Sequence, residues 1–154
     1  MRPSTSRSST LDSTAVRRRW KGQLALLRAF QSRNGVDEAL VDAHTAAQSI
    51  PLDSSWRATA LTVLGVTYLF TGAPEDADGA FVEAVTVGRE IDASPAVSVA
   101  LAERALIALD RGELAEAHAL ADQARGVVND GRLQDHVTNV LVSAVAARLA
   151  MRLW

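Results

Sequence analysis

The sequence predicts an all-helical fold of stacked helical hairpins, and three observations predict it. Alanine, the best helix former, recurs along the chain. Helix-starting and helix-breaking residues alternate from Asp12 to Gly131. Strand signals are weak, with few alternating runs of Val, Ile and aromatic residues. Even the Asn34-Gly35 pair, a hairpin signal elsewhere, sits between two helical patterns.

The elements follow in order. Residues 1–12 are rich in Ser, Thr, Arg and Pro, offer nothing to bury and read as a disordered leader. Residues 13–154 form the helical-repeat domain. Asp12, Ser13 and Thr14 are caps for a first helix running through Leu24, Leu27 and Phe30, which Asn34-Gly35 ends. A second helix runs from about Val36 to Ser49 and stops before Pro51. Asp53, Ser54 and Ser55 offer caps for a third, ending at Gly72. Pro74 suits a first helical position, and Glu75 and Asp76 suit the positive first turn of a fourth helix that reaches about Ile91. Ser94-Pro95 starts a fifth, and Gly112 and Asp130-Gly131 end the fifth and sixth. A seventh runs from about Gln134 to the end.

The chain has 154 residues, 48% of them hydrophobic and 22% charged, which suits one globular domain with a sizeable core. Its formal net charge of −2 gives no general attraction to nucleic acid or anionic membrane. Cysteine is absent, which excludes disulfides, thiolate metal sites and a cysteine nucleophile. The start of the chain lacks the apolar core of a secretion signal, and no apolar run is long enough to span a bilayer. The expected location is cytoplasmic.

Recurring hairpins invite a search for repeats. Counting Ala58 as position 1, Leu61, Leu64, Gly65, Tyr68, Ala77, Phe81 and Ala84 fall at 4, 7, 8, 11, 20, 24 and 27 of the tetratricopeptide (TPR) pattern. Gly72 stands at the turn, and only the final proline is missing, replaced by Arg89. Small residues at Gly65 and Ala77 let the two helices of a hairpin approach closely, while Tyr68, Phe81 and Ala84 are placed to pack between one hairpin and the next. On this reading Gly65→Leu overpacks, whereas Gly65→Ala is neutral or better, since glycine weakens a helix. Gly72 and Gly112 lie 40 residues apart, and at that offset Ala77 maps onto Ala117 and Ala84 onto Ala124. Upstream, Phe30, Ala39, Ala43, Ala46 and Pro51 echo the pattern in a window from Trp20. The expected architecture is a TPR-like right-handed solenoid of about seven helices.

Longer stretches carry a further likeness. Ile50-Pro-Leu-Asp-Ser-Ser-Trp-Arg-Ala-Thr-Ala-Leu, the turn Gly72-Ala-Pro-Glu-Asp-Ala and Leu101-Ala-Glu-Arg-Ala-Leu-Ile-Ala-Leu-Asp-Arg-Gly-Glu-Leu-Ala-Glu-Ala resemble the helical-repeat region of LuxR-type, MalT-like ATP-dependent transcription regulators. The likeness covers about Leu24 to Leu153. That family sets a P-loop ATPase before the repeats and a helix-turn-helix after them. The sequence holds no G-x-x-x-x-G-K-[ST] motif, so the resemblance implies the sensory and interaction role of the repeats alone. The expectation is a stand-alone or truncated piece of such a regulator, linked to transcriptional control. A generic TPR adaptor and a small-molecule sensor are the alternatives.

In a TPR array, positions 2, 5, 9, 12 and 13 of each first helix line an inner groove. Here they are Thr59, Thr62, Val66, Leu69 and Phe70, then Val99, Ala102, Leu106, Leu109 and Asp110. Asn139, Val142, Ala146, Leu149 and Ala150 follow in the last helix. This mostly apolar set fits a partner helix or a small apolar ligand, weighed against coverage by the chain's own hairpins. Val137, Val140, Leu141, Val145 and Leu149, with Trp154, read as an apolar outer face on the last helix, a second route to a partner or to self-association.

Nothing suggests catalysis. His44, His118 and His136 lack metal-ligand spacing, and no G-x-S-x-G is present. No cofactor is expected. Arg17-Arg18-Arg19 with Lys21 is the one dense basic run. A phosphate contact is weighed there against a solvated helix start with Trp20 packing inward, and the second is preferred because the rest of the chain is acidic. Neither nucleic acid nor membrane is an expected partner.

Overall fold

A computed structural model describes the backbone of residues 6–152 and the side chains of residues 13–152. It contains seven helices and no strand among the described residues. They are α1 (Ser6–Gln31), α2 (Val36–Ser49), α3 (Arg57–Phe70), α4 (Pro74–Glu90), α5 (Ser94–Asp110), α6 (Leu114–Asp130) and α7 (Thr138–Met151). The all-helical expectation therefore holds for the described residues. Three boundaries differ.

The first helix begins at Ser6, inside the segment expected to be a leader, while residues 1–5 lie outside the described residues. Extending a nucleated helix costs little per residue, so a segment rich in Ser and Arg can continue it. The third starts at Arg57, after two tight turns in which Ser54 N–H donates to Pro51 O at 3.1 Å and Arg57 N–H to Ser54 O at 2.9 Å. Ser54 Oγ caps no helix and instead accepts from Trp56 N–H at 3.3 Å. The seventh starts four residues later than the sequence suggests. His136 Nδ1 accepts from Thr138 N–H at 3.3 Å and lies 3.0 Å from Thr138 Oγ1, and Asn139 Nδ2 donates to Gln134 O at 2.8 Å. Such local side-chain bonds compete with helix for the same backbone.

The four connections from α3 to α7 share one geometry. Gly72, Asp92, Gly112 and Arg132 have φ of 75°, 55°, 79° and 52°, and each is 20 residues from the next. The residue after each donates to the carbonyl five positions back: Ala73 to Tyr68, Ala93 to Gly88, Glu113 to Ala108 and Leu133 to Val128, at 2.8–3.0 Å. This is the Schellman helix end. The period of 40 read between glycines is thus two helix-and-turn units of 20. Gly131, expected to break the sixth helix, keeps an ordinary φ of −79° while Arg132 takes the left-handed position. The reason for glycine at 131 is space, since a Cβ there would stand 3.0 Å from Val127 O and 3.2 Å from Ser94 Cβ.

Sequential helices pair, most extensively α1 with α2, α3 with α4 and α5 with α6. The odd-numbered helices also pack against one another in series, α1 to α3 to α5 to α7, whereas the even-numbered ones meet only through side chains, Arg89 of α4 donating to Gln123 of α6 at 3.2 Å. Odd helices therefore form one continuous layer. Alanine makes the packing close: Ala43, Ala46, Ala58, Ala77, Ala84, Ala105, Ala117 and Ala124 are wholly buried. Phe81 is the largest fully buried side chain, and its ring lies against Gly65. Tyr68 reaches from α3 to α2, where its hydroxyl lies 2.9 Å from His44 Nε2.

Candidate functional site

The layer of odd-numbered helices carries an apolar groove of about 450 Å³. Its floor is α3, where Thr59, Thr62, Val63, Val66 and Phe70 recur at helical spacing. Ala29 and Phe30 of α1 form one wall, Pro95, Ala96 and Val99 of α5 the other, and Val137 and Thr138 at the start of α7 close one end. No charged side chain lines it. Several hydroxyls in the lining are already committed: Thr62 donates to Ala58 O at 2.9 Å, Thr67 to Val63 O at 2.8 Å and Ser32 to Ala29 O at 2.9 Å. Phe30, Phe70 and Val137 stand at the rim, 59%, 73% and 76% exposed, with Val140 exposed beyond them. Large apolar side chains left in water around an apolar recess favour burial against something else.

Of the residues named from the sequence, Thr59, Thr62, Val66, Phe70 and Val99 line this groove together. Leu69 and Leu106 are half-buried against the core. Ala102 and Leu109 are fully buried, so the expected extension of the groove along α5 is corrected. The helix α7 packs on α5, and its Val142, Val145 and Leu149 join the same core. The proposed outer face of α7 is corrected with it, because Val145 and Leu149 are buried while Val137 and Val140 are exposed. Two apolar helix faces gain more by closing on each other than by each facing water. Asp110 is drawn to α7 by Arg148, whose Nη2 donates to its carboxylate at 2.8 Å. Asn139, Val142 and Ala146 line a separate recess against α6, beside Asp122, Arg125 and Asn129. Trp154 lies outside the described residues.

The contributions of α1 and of the residues before α7 are not in the sequence-derived groove. Phe30 carried a signal, its place in the weaker repeat window, but Val137 belongs to a turn that the pattern assigns to helix. One aromatic residue also departs from expectation. Trp20 does not pack inward; it is 69% exposed.

The remaining polar features brace the fold. Arg57 spans a larger recess between α1, α2 and α3, donating to Ile50 O at 3.2 Å and to Glu83 at 3.1 Å across to α4, with its Nε buried and unpartnered. Arg104 of α5 pairs with Asp78 of α4 at 2.8 Å. Burial raises the carboxyl pKa of Glu103, which has no ion pair or hydrogen bond among the described residues. Tyr68 is raised too, first by burial and then by the charge of Asp76. No group of three His, Asp or Glu side chains able to hold a metal occurs among the described residues, and no helix there is long and apolar enough to cross a membrane. No family model, curated protein or solved structure matches the chain.

Proposed function

We propose that the chain is a non-enzymatic interaction module, a TPR-like solenoid that holds an apolar segment of a partner protein in its inner groove. The observation that carries this reading is the exposed rim of Phe30, Phe70 and Val137 around an uncharged recess. Peptide grooves use this arrangement, apolar pockets for anchoring side chains with little polar discrimination. Support for the solenoid comes from the tetratricopeptide window, the 20-residue turn period and the series of odd-helix contacts. The likeness to the repeats of MalT-like regulators points to transcriptional control in the cytoplasm, with a P-loop regulator as the natural partner.

The test is affinity capture from the native cell by wild type, Val66→Asp and Phe70→Asp, read by mass spectrometry. Enrichment of a P-loop regulator that both variants lose supports the proposal. Partners unchanged by either variant would overturn the groove, and intrinsic nucleotide turnover surviving repurification would overturn the non-enzymatic reading. A second reading, a sensor for a small apolar ligand, is favoured by the groove volume of about 450 Å³, within the range of ligand pockets.

A further inference from the structure

The first helix exposes a face that the groove does not use. Val16, Trp20, Leu24 and Leu27 are 48%, 69%, 50% and 60% exposed and recur at helical spacing. The opposite face, with Gly22, Ala25, Leu26 and Ala29, is buried. Phe30 continues the stripe to the rim of the groove.

Charge frames this stripe. Arg17, Arg18, Arg19, Lys21 and Arg28 are exposed, and none belongs to an ion pair among the described residues. Every arginine that is ion-paired there lies at position 57 or beyond. The sequence divides the same way: residues 1–33 carry eight basic and one acidic side chain, the remainder eight basic and seventeen acidic. An apolar face with uncompensated positive charge around it calls for apolar contact with negative charge at its rim.

Three occupants meet that chemistry unequally. A second copy related by a twofold axis through α1 would set one basic helix against another. An anionic bilayer would attract α1, but it would repel the acidic remainder, and a flat surface matches poorly a stripe that runs into a recess. A rod of opposite charge meets both constraints. We propose that α1 docks an acidic amphipathic helix of a partner protein, with its apolar side on Val16, Trp20, Leu24 and Leu27 and its carboxylates on Arg17, Arg19, Lys21 and Arg28. From Val16 to Phe30 the stripe is about 21 Å long, four turns of helix. The proposal rests on the reading of the chain as an interaction module and gives the partner its charge.

The test uses two labelled helical peptides of about sixteen residues, enough to span the stripe. Both have the same Leu/Phe face, rimmed by Glu in one and by Lys in the other. Anisotropy is read with the full-length chain. The expected result is binding of the Glu peptide at least about tenfold tighter than the Lys peptide, weakening with added salt. Trp20→Ala should weaken it, and the combined Arg17→Glu, Arg19→Glu and Lys21→Glu variant should reverse the preference. Circular dichroism checks that each variant keeps its helix content. Equal affinity for both peptides, no binding of either, or a preference unmoved by charge reversal would overturn the proposal. So would phosphatidylserine vesicles binding where the Glu peptide does not, or sedimentation showing a dimer that Trp20→Ala dissolves. Loss of the peptide preference with groove-dependent capture intact removes only the α1 assignment. Loss of groove-dependent capture with the preference intact removes only the groove.

Discussion

Gly65 of α3 lies directly beneath the ring of Phe81 of α4: a Cβ at position 65 would stand 2.5 Å from Phe81 Cε1 and 2.7 Å from Cδ1 and Cζ. Phe81 is fully buried, so its ring can give way only by displacing the side chains packed around it or losing that burial. Helix propensity alone makes Gly65→Ala neutral or favourable by up to about 1 kcal/mol. Overpacking a closed core costs about 1–3 kcal/mol and wins. Gly65→Ala should therefore destabilise by about 1–2 kcal/mol in denaturant titration, and Gly65→Leu by more. Phe81→Leu should recover part of the alanine cost in a double-mutant cycle. An alanine variant with the wild-type midpoint would remove this contact from the account.

Glu103 supplies a pH dependence. Its folded-state carboxyl pKa is raised by burial, so the ionised form is disfavoured in the folded protein. At neutral pH this lowers stability. As pH falls through the raised value and then through the unfolded value the penalty disappears, because both states become protonated. Glu103→Gln should thus stabilise at pH 7, with the gain fading as pH drops below the ordinary carboxylate range. Thermal melts of both proteins across pH 3–7 provide the check, and a gain independent of pH would exclude this origin.

The turn before α7 separates two roles that glycine usually combines. Gly131 has ordinary backbone but a tight surround, while Arg132 holds φ of 52°. Arg132→Gly should stabilise by about 0.5–1 kcal/mol, since a left-handed L-residue costs more than the added chain entropy of glycine. Gly131→Ala should destabilise by about 1 kcal/mol, the lower end of overpacking. Chemical denaturation of the two single variants distinguishes them by sign.

Helix α7 makes a similar contrast one face against the other. Leu149 is 2% exposed and Val140 is 70% exposed. Leu149→Ala should cost about 2–5 kcal/mol through the lost apolar burial and the cavity left behind. Val140→Ala should change stability by no more than about 0.5 kcal/mol. Equal effects at the two positions would mean that α7 does not pack on α5 as described.

Much of the helical framework was legible from local chemistry alone. Proline at 74, the acidic pair behind it and the glycines at 72 and 112 act on their own neighbours, so α4, α5 and α6 begin and end within about a residue of where the pattern puts them. Gly65 and Phe81 stood out by their spacing, but the sequence paired Gly65 with Ala77 and set Phe81 between hairpins, and only the packed α3–α4 pair puts the Phe81 ring on Gly65. Helix periodicity could not say which apolar face meets another. Ala102, Leu109, Val145 and Leu149 look as accessible in the sequence as Val66 and Phe70, yet the first four are buried and Phe70 faces water. Nor could it show that Trp20 stays outside, because an aromatic at helical spacing is equally compatible with core and surface. Those choices depend on contacts between residues far apart in the chain, where α7 covers α5 and leaves the α3 face and the α1 stripe open. Local propensity specified the helices; burial between non-neighbouring helices decided which surfaces remain for a partner.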